Sequence, residues 1–316
     1  MDPAAIRPSD AAPGAARARA SHGGTAVLAH MSDVHLPPPL PVRPRDLLNK
    51  RALSLLSWQT NRRHHHLAAI SDTIVADIAA DAPDAIAVSG DLTNFGLTQE
   101  YAAAADWLEH LPKPAHVVPG NHDAMAPQAW DDGPALWSPW MTQRSSDLPY
   151  VRRIGPLALI GVDSAISSPI FMAYGRVGLS QLARLERILK ALAPEGVCRV
   201  VMIHHPPRAG LVPWRKSLLD HVLMAETLRS AGCELVIHGH SHNSTISRIP
   251  GTDIPLLGVA SASLKSEQPL RMAAWNRIAV SRDERLWHID VTRRALDPNR
   301  GMHTQSQGTF ERPVAA

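Results

Sequence analysis

Apolar residues in this chain come in short, nearly continuous runs separated by longer stretches with helical spacing. The runs are "TAVLAHM" (Thr25–Met31), "DAIAV" (Asp84–Val88), "AHVV" (Ala115–Val118), "LALIGV" (Leu157–Val162), "CRVVMI" (Cys198–Ile203) and "ELVIH" (Glu234–His238). Runs this short, with little polar alternation, predict strands covered on both faces. Between them, 67–80, 98–111, 180–192 and 218–231 repeat apolar residues at the intervals of one helix face. Strand alternating with helix predicts an α/β sheet with crossover connections. After His242 the rhythm changes. "STISRIP", "PLLGVASAS", "WNRIAVS" and "LWHIDVT" follow one another with no helical stretch between them, which predicts a mostly antiparallel closing section.

The pattern places one domain over 25–295. Residues 1–24 and 296–316, poor in apolar runs, are expected to be flexible tails. Two segments interrupt the alternation, 37–66 and the tryptophan-rich 124–149. Each follows the C-terminal end of a strand, where α/β sheets carry their sites.

Composition narrows the chemistry. A net charge of +3 over 316 residues makes no broad electrostatic case for a nucleic-acid interface. The two cysteines, Cys198 and Cys233, open buried runs and read as small core residues, so a disulfide framework is excluded. No apolar run approaches the roughly 18 residues of a membrane span. The first 24 residues lack the apolar core of a signal peptide. A cytoplasmic protein is expected. The 17 histidines direct attention to metal binding.

Polar residues gather where the apolar runs end. The first ends in "SDVH" (Asp33, His35), the second in "SGDLTN" (Asp91) and the third in "VPGNHD" (Asn121, His122). Two later runs end in "HHPP" (His204, His205) and "HGHSH" (His238, His240, His242). Five strand ends on one sheet edge can converge although they are distant in sequence. Carboxylates, imidazoles and one amide, without thiolate, suit Mn, Fe or Zn. They exceed what one ion usually takes from protein and suffice for two ions sharing a carboxylate, an arrangement suited to displacement at phosphorus.

These five blocks, D-x-H, GD, GNHD, H-x-P and GHxH in that order from about Val27 to Val259, resemble the calcineurin-like metallophosphoesterase superfamily. The stretch from Ser89 to Asp123 looks most like bacterial class III cyclic nucleotide phosphodiesterases. The resemblance implies a four-layer αββα sandwich, two mixed β-sheets flanked by helices. It implies a first metal on Asp33, His35 and His242, a second on Asn121, His204 and His240, and Asp91 bridging them. His122 would be the acid that protonates the leaving oxygen. The implied activity is hydrolysis of a small phosphodiester by attack of a metal-held hydroxide, with cyclic nucleotides the leading specific substrate. Two further readings stay open beside it. One is hydrolysis of a lipid-linked or cell-envelope phosphoester, with peripheral contact between an anionic membrane and 43–66. The other is a metal-stabilised scaffold without catalysis.

The densest histidine cluster, "RRHHH" (Arg62–His66), is read the other way. Consecutive helical side chains point about 100° apart, so three cannot face one ion, and a solvated helix start is expected. The surrounding segment interleaves Arg43, Arg45, Lys50, Arg51, Arg62 and Arg63 with leucines and Trp58. It reads either as a helix packed on its own domain or as a surface for anionic lipid. Trp130, Trp137 and Trp140 either line a substrate wall or pack on their own core. His30 reads as a core residue, and His205 either as a brace for the site or as an outward-facing neighbour.

Overall fold

The computed structural model describes residues 24–42, 46 and 50–315. The proposed N-terminal tail thus lies, but for Gly24, outside the described residues, as do Arg43 and Arg45.

The apolar runs form strands close to where their pattern puts them: β1 (Ala26–Met31), β2 (Ala85–Val88) and β3 (Ala115–Val117), then β5 (Leu157–Val162), β6 (Cys198–Ile203) and β7 (Leu235–His238). One strand the pattern did not announce, β4 (Tyr150–Ile154), pairs antiparallel with β5. The helices between them include α3 (Ala68–Asp81), α4 (Thr98–Glu109), α5 (Leu179–Leu192) and α6 (His221–Ala231). Short helical turns, α1 (Arg51–Ser57) and α2 (Arg63–His65), precede α3. The closing strands are β8 (Thr245–Arg248), β9 (Pro255–Gly258), β10 (Ala274–Arg282), β11 (Leu286–Asp297) and β12 (Gly301–Pro313).

Two mixed six-stranded sheets result, in the orders β12-β11-β10-β1-β2-β3 and β4-β5-β6-β7-β9-β8. Period-two alternation sorts their side chains into layers. In β5, Leu157 and Leu159 face the first sheet and join a core that reaches through to Ile74 and Ile78 of α3 and Leu108 of α4. Ala158, Ile160 and Val162 of the same strand face Leu185 and Leu189 of α5 and Leu228 of α6. The architecture is therefore the four-layer αββα sandwich. With a sheet on one face and helices on the other, all six residues of β6 are buried, and the strand is apolar except for Arg199, which is paired with Glu234 at 2.7 Å.

The C-terminal segment corrects the sequence reading. Residues 296–316, expected as a flexible tail, carry the end of β11 and all of β12, paired antiparallel along their length from Leu286↔Pro313 to Asp297↔Gly301. β12 is a polar edge strand whose Met302 and Phe310 pack on the main core. Its order comes from the backbone ladder with β11, which leaves little apolar periodicity to read.

Candidate metal centre

β1, β2 and β3 of the first sheet and β6 and β7 of the second end on one side of the sandwich, and the turns after them carry the polar residues. Asp33, His35, Asp91 and His242 bring one ligand atom each to within 4.8 Å of one another. A second group forms around His204 and His240, whose rings lie 5.0 Å apart, with Asn121 Oδ1 3.3 Å from His204 Nε2. Asp91 lies between the groups: its Oδ2 is 3.4 Å from His204 Nε2 and 4.0 Å from His35 Nε2. Asp33 Oδ1 is 3.1 Å from His242 Nε2, and its Oδ2 accepts the backbone N–H of His240.

The turns are strained. Asp33, His35, Asp91, His240 and His242 all have φ between 47° and 62°. This left-handed region costs a non-glycine residue on the order of 1–2 kcal/mol, though Asp and His tolerate it better than most. Such strain collects where a side chain must be aimed. Gly120 and Gly239 allow the close approach that follows. A Cβ on Gly120 would collide with Asp91 Oδ1, and one on Gly239 with Ser32 Oγ and Asp33 Oδ2.

The imidazoles are oriented by backbone carbonyls. His35 Nδ1 pairs with Thr93 O (3.3 Å), His204 Nδ1 with Ser89 O (2.7 Å) and His240 Nε2 with Lys216 O (2.8 Å). Pairing one ring nitrogen with a carbonyl fixes the direction of the other, and in His35 and His204 that other nitrogen, Nε2, faces Asp91, the usual way a protein presents histidine to a metal. Burial, then His66 and His122, hold the pKa of His35 well below the ordinary value; burial and the neighbouring histidines do the same to His240. Burial also opposes charge on His204, but Asp91 beside it lifts its pKa to about 9. Asp91 itself, although buried, is held well below the ordinary carboxylate range, chiefly by His204 and His122. Buried carboxylates among imidazoles that face them suit two cations sharing Asp91.

His122 Nδ1 pairs with Asn94 O at 3.0 Å, and its backbone N–H is donated to Asp91 Oδ1 at 2.8 Å. It borders a cavity of about 610 Å³ that also opens onto His35, Asp91, Asn121, His240 and His242. Lys50, Lys216 and Arg271 line part of this cavity, and Leu53, Met125 and Ile170–Met172 another part.

Asp123 acquires a role that the sequence reading did not assign, and His205 takes one of the two that it left open. Asp123, the last residue of "GNHD", accepts from the backbone N–H groups of Asp91, Gly120 and Thr93 and from Thr93 Oγ1, all at 2.8–2.9 Å. It fastens the Asp91 turn to the Asn121 turn. Burial, then the Asp91 charge, push its carboxyl up to about 7. His205 is buried and faces inward. Its Nδ1 pairs with Ser164 Oγ at 2.8 Å and its Nε2 with Ala173 O at 3.3 Å, while its ring packs 4.4 Å from His240. Although His205 lies within ligand distance of His204 and His240, both its nitrogens are engaged by protein, so it braces the group.

The cluster at Arg62–His66 divides. His64 and His65 are exposed, as expected for a helix surface, but α2 ends at His65. His66 instead forms an isolated antiparallel bridge with Leu264, which frees it from helical spacing and turns its ring into the site. That ring lies edge-on to His35 at 4.6 Å and to His242 at 5.5 Å, with Nδ1 on Ser263 Oγ at 2.9 Å. The tryptophans take the packing alternative. Trp137 is fully buried and donates to Tyr101 O, Trp130 and Trp140 pack on the main core, and none of the three lines the cavity. His30 is a core residue paired with Ser89 Oγ. His238 is buried behind the turn.

Comparison with known proteins agrees with this geometry. Residues 26–244 match the calcineurin-like phosphoesterase family. A protein of Arcobacter nitrofigilis named "Probable glycerophosphodiester phosphodiesterase GpdQ" is 26% identical over 240 residues, 73% of this chain and 81% of that protein. The glycerophosphodiester phosphodiesterase GpdQ of Enterobacter lignolyticus is 28% identical over 52% of this chain and 58% of its own length. A "Probable cyclic nucleotide phosphodiesterase" of Rhodococcus erythropolis is 28% identical over 54% of this chain and 56% of its own length. Among solved structures, a dimetal phosphatase from Danio rerio superposes with a TM-score of 0.55 at 12% identity, covering 92% of this chain and 98% of that one. The purple acid phosphatase PPD1 of yellow lupin gives 0.52 at 12% identity, over 92% of this chain and 54% of its own. At such identities the structures speak for the fold alone, whereas the family match covers well over half the chain and contains all the strand-end blocks. The chain belongs to the calcineurin-like phosphoesterase family.

Proposed function

We propose that the chain hydrolyses small phosphodiesters at a two-metal centre. Asp33, His35, Asp91 and His242 would hold one ion, and Asp91, Asn121, His204 and His240 the other. The observation that carries this reading is the position of Asp91, whose Oδ2 faces a histidine of each group. When bound, such an ion pair supplies Lewis acidity toward the phosphoryl oxygens and lowers the pKa of water.

The remaining steps belong to the protein. Lys50, Lys216 and Arg271 draw an anionic diester into the cavity, and the apolar wall of Leu53, Met125 and Ile170–Met172 receives its organic part. His122 is held by Asn94 O through Nδ1, so its Nε2 is the atom that donates a proton to the departing alcohol. Diesters are favoured over monoesters because the curated relatives are named as diesterases. Those names make glycerophosphodiesters and cyclic nucleotides the first candidates within the class.

The test is a substrate panel on protein reconstituted separately with Mn, Fe and Zn: bis(p-nitrophenyl) phosphate, p-nitrophenyl phosphate, glycerophosphodiesters and 3′,5′-cyclic nucleotides. Diester turnover that exceeds monoester turnover and disappears with chelator is the expected result. Protein that binds metal yet is inert toward all four would overturn the reading in favour of a scaffold.

A further inference from the structure

We propose that the mouth of the cavity is a docking surface for an anionic lipid bilayer. The inference goes beyond the hydrolytic reading and does not depend on it.

Four segments meet around the opening. They are α1 with the turn after it, the loop 168–173, the turn Trp214–Lys216 and the turn 264–271, and each contributes at least one residue to the wall of the cavity or of the pocket beside it. Three bonds tie them in a row. Lys50 Nζ is donated to Ser168 O at 2.8 Å, Ala173 N to Arg215 O at 2.9 Å and Lys265 N to His65 O at 2.7 Å. Each segment exposes a large apolar side chain: Leu56 on α1, Phe171 and Ile170 on the loop, and Trp214 and Leu270 on the two turns. Each of the first, third and fourth also carries cations, and Glu267 is the single acid on all four.

Phe171 is the most telling. Its side chain is 85% exposed, and its backbone φ is 66°. A bulky residue gains nothing from folding in that state. It loses little water-accessible surface and sits in a backbone region that favours glycine. Trp214, 71% exposed and followed by Arg215 and Lys216, shows the same combination of an aromatic ring beside cations. Single apolar side chains set among cations match a fluid anionic surface better than a shaped protein partner. The rings and leucines enter the acyl boundary while Lys and Arg remain with the headgroups. No described helix is long and apolar enough to cross a membrane, so the contact is peripheral. The cavity then opens toward the lipid headgroups.

The experiment is co-sedimentation of the full chain with phosphatidylcholine vesicles, with and without phosphatidylglycerol. The unmodified chain should sediment with the anionic vesicles and stay in solution with the neutral ones. Two pairs of substitutions outside the cavity wall, Leu56→Ser with Trp214→Ser and Arg63→Glu with Arg215→Glu, should each weaken that binding at least about tenfold, as should Phe171→Ser. Turnover of soluble bis(p-nitrophenyl) phosphate by the two paired variants should stay within about twofold of the parent, which shows that they fold. An unmodified chain that ignores anionic vesicles, or binds neutral ones equally, overturns the proposal. So do paired variants that bind as tightly as the parent. Vesicle binding by a chain inert toward every phosphoester would instead break the hydrolytic reading and leave the docking surface standing.

Discussion

The strand-end turns and the rim above them are built on opposite principles. In the turns, the backbone does the positioning. Asp33, His35, Asp91, His240 and His242 sit in left-handed conformations held by the ends of two sheets, and Gly120 and Gly239 leave room for no side chain. In the rim, side chains and a few backbone bonds between loops share it. Lys50 reaches Ser168, Arg51 reaches the carbonyls of Phe95 and Gly96, and His66 reaches Ser263. Chemistry set by topology tolerates little substitution, whereas a rim tied in part by side-chain bonds can be altered piece by piece. The turns should therefore govern turnover and metal content, and the rim affinity for substrate and surface.

The hardest test of that division is Asp91→Ala. The residue faces both histidine groups, so its loss should lower metal content in both and reduce diester turnover by at least about 10³-fold, since several kcal/mol of charge stabilisation depend on the ions it would share. Metal analysis beside steady-state kinetics checks both. A variant that keeps two metals and most of its rate would remove Asp91 from the centre. His122→Ala should cost about 10²-fold or more in kcat with the metal content of the parent, because a proton donor is lost and no ligand is. Metal loss in this variant would show that His122 acts through the ligands it packs against, His35 foremost at 4.9 Å.

Asp91 and His122 also show how residues far apart in sequence come to lie together. A strand buried on both faces is largely an apolar run, and β5 and β6 have the limits that their runs predict. Once the runs are located, the polar residue after each is placed at a sheet edge by topology alone, so Asp33, Asp91, Asn121, His204 and His240 can be brought together from sequence positions far apart. The same logic fails where order comes from elsewhere. β12 is held by pairing with β11 and has only Met302 and Phe310 on the core, so it looks like a tail. Asp123 and His205 are oriented by hydrogen bonds to distant loops, which no local spacing records. His66 was hidden by the assumption that helical geometry extends through it, although the helix stops one residue earlier.

Arg51→Met tests the rim's attachment. The guanidinium is nearly buried and donates to Phe95 O at 2.8 Å, Gly96 O at 2.6 Å and Gln128 Oε1 at 3.0 Å. Removing it leaves buried carbonyls without that donor, worth about 1–3 kcal/mol, and should lower the melting midpoint by roughly 2–5 °C. With α1 loosened, KM should rise severalfold while kcat changes little. A fall in kcat as large as that of His122→Ala would mean that α1 positions the reacting groups and that the division between turns and rim is misplaced.

His66 sits on the boundary and gives the finest test. It belongs to the rim by origin, since it follows α2 and is fixed by Leu264 and Ser263. By position it belongs with the turns, edge-on to His35 and His242, both proposed as ligands of the first metal. If packing is what it supplies, His66→Ala leaves those two rings room to tilt. Affinity for the first ion should then fall by about tenfold, the size of effect expected when a ligand loses its support, while the second ion is unaffected. At saturating metal, turnover should return close to that of the parent. His66→Phe keeps an aromatic edge without ring nitrogens and should recover most of the lost affinity. Titration of each variant with Mn, read by the number of bound ions and by activity, separates the outcomes. If Phe rescues nothing, His66 acts through its nitrogens, and the centre extends one residue into a segment that no strand end supplies.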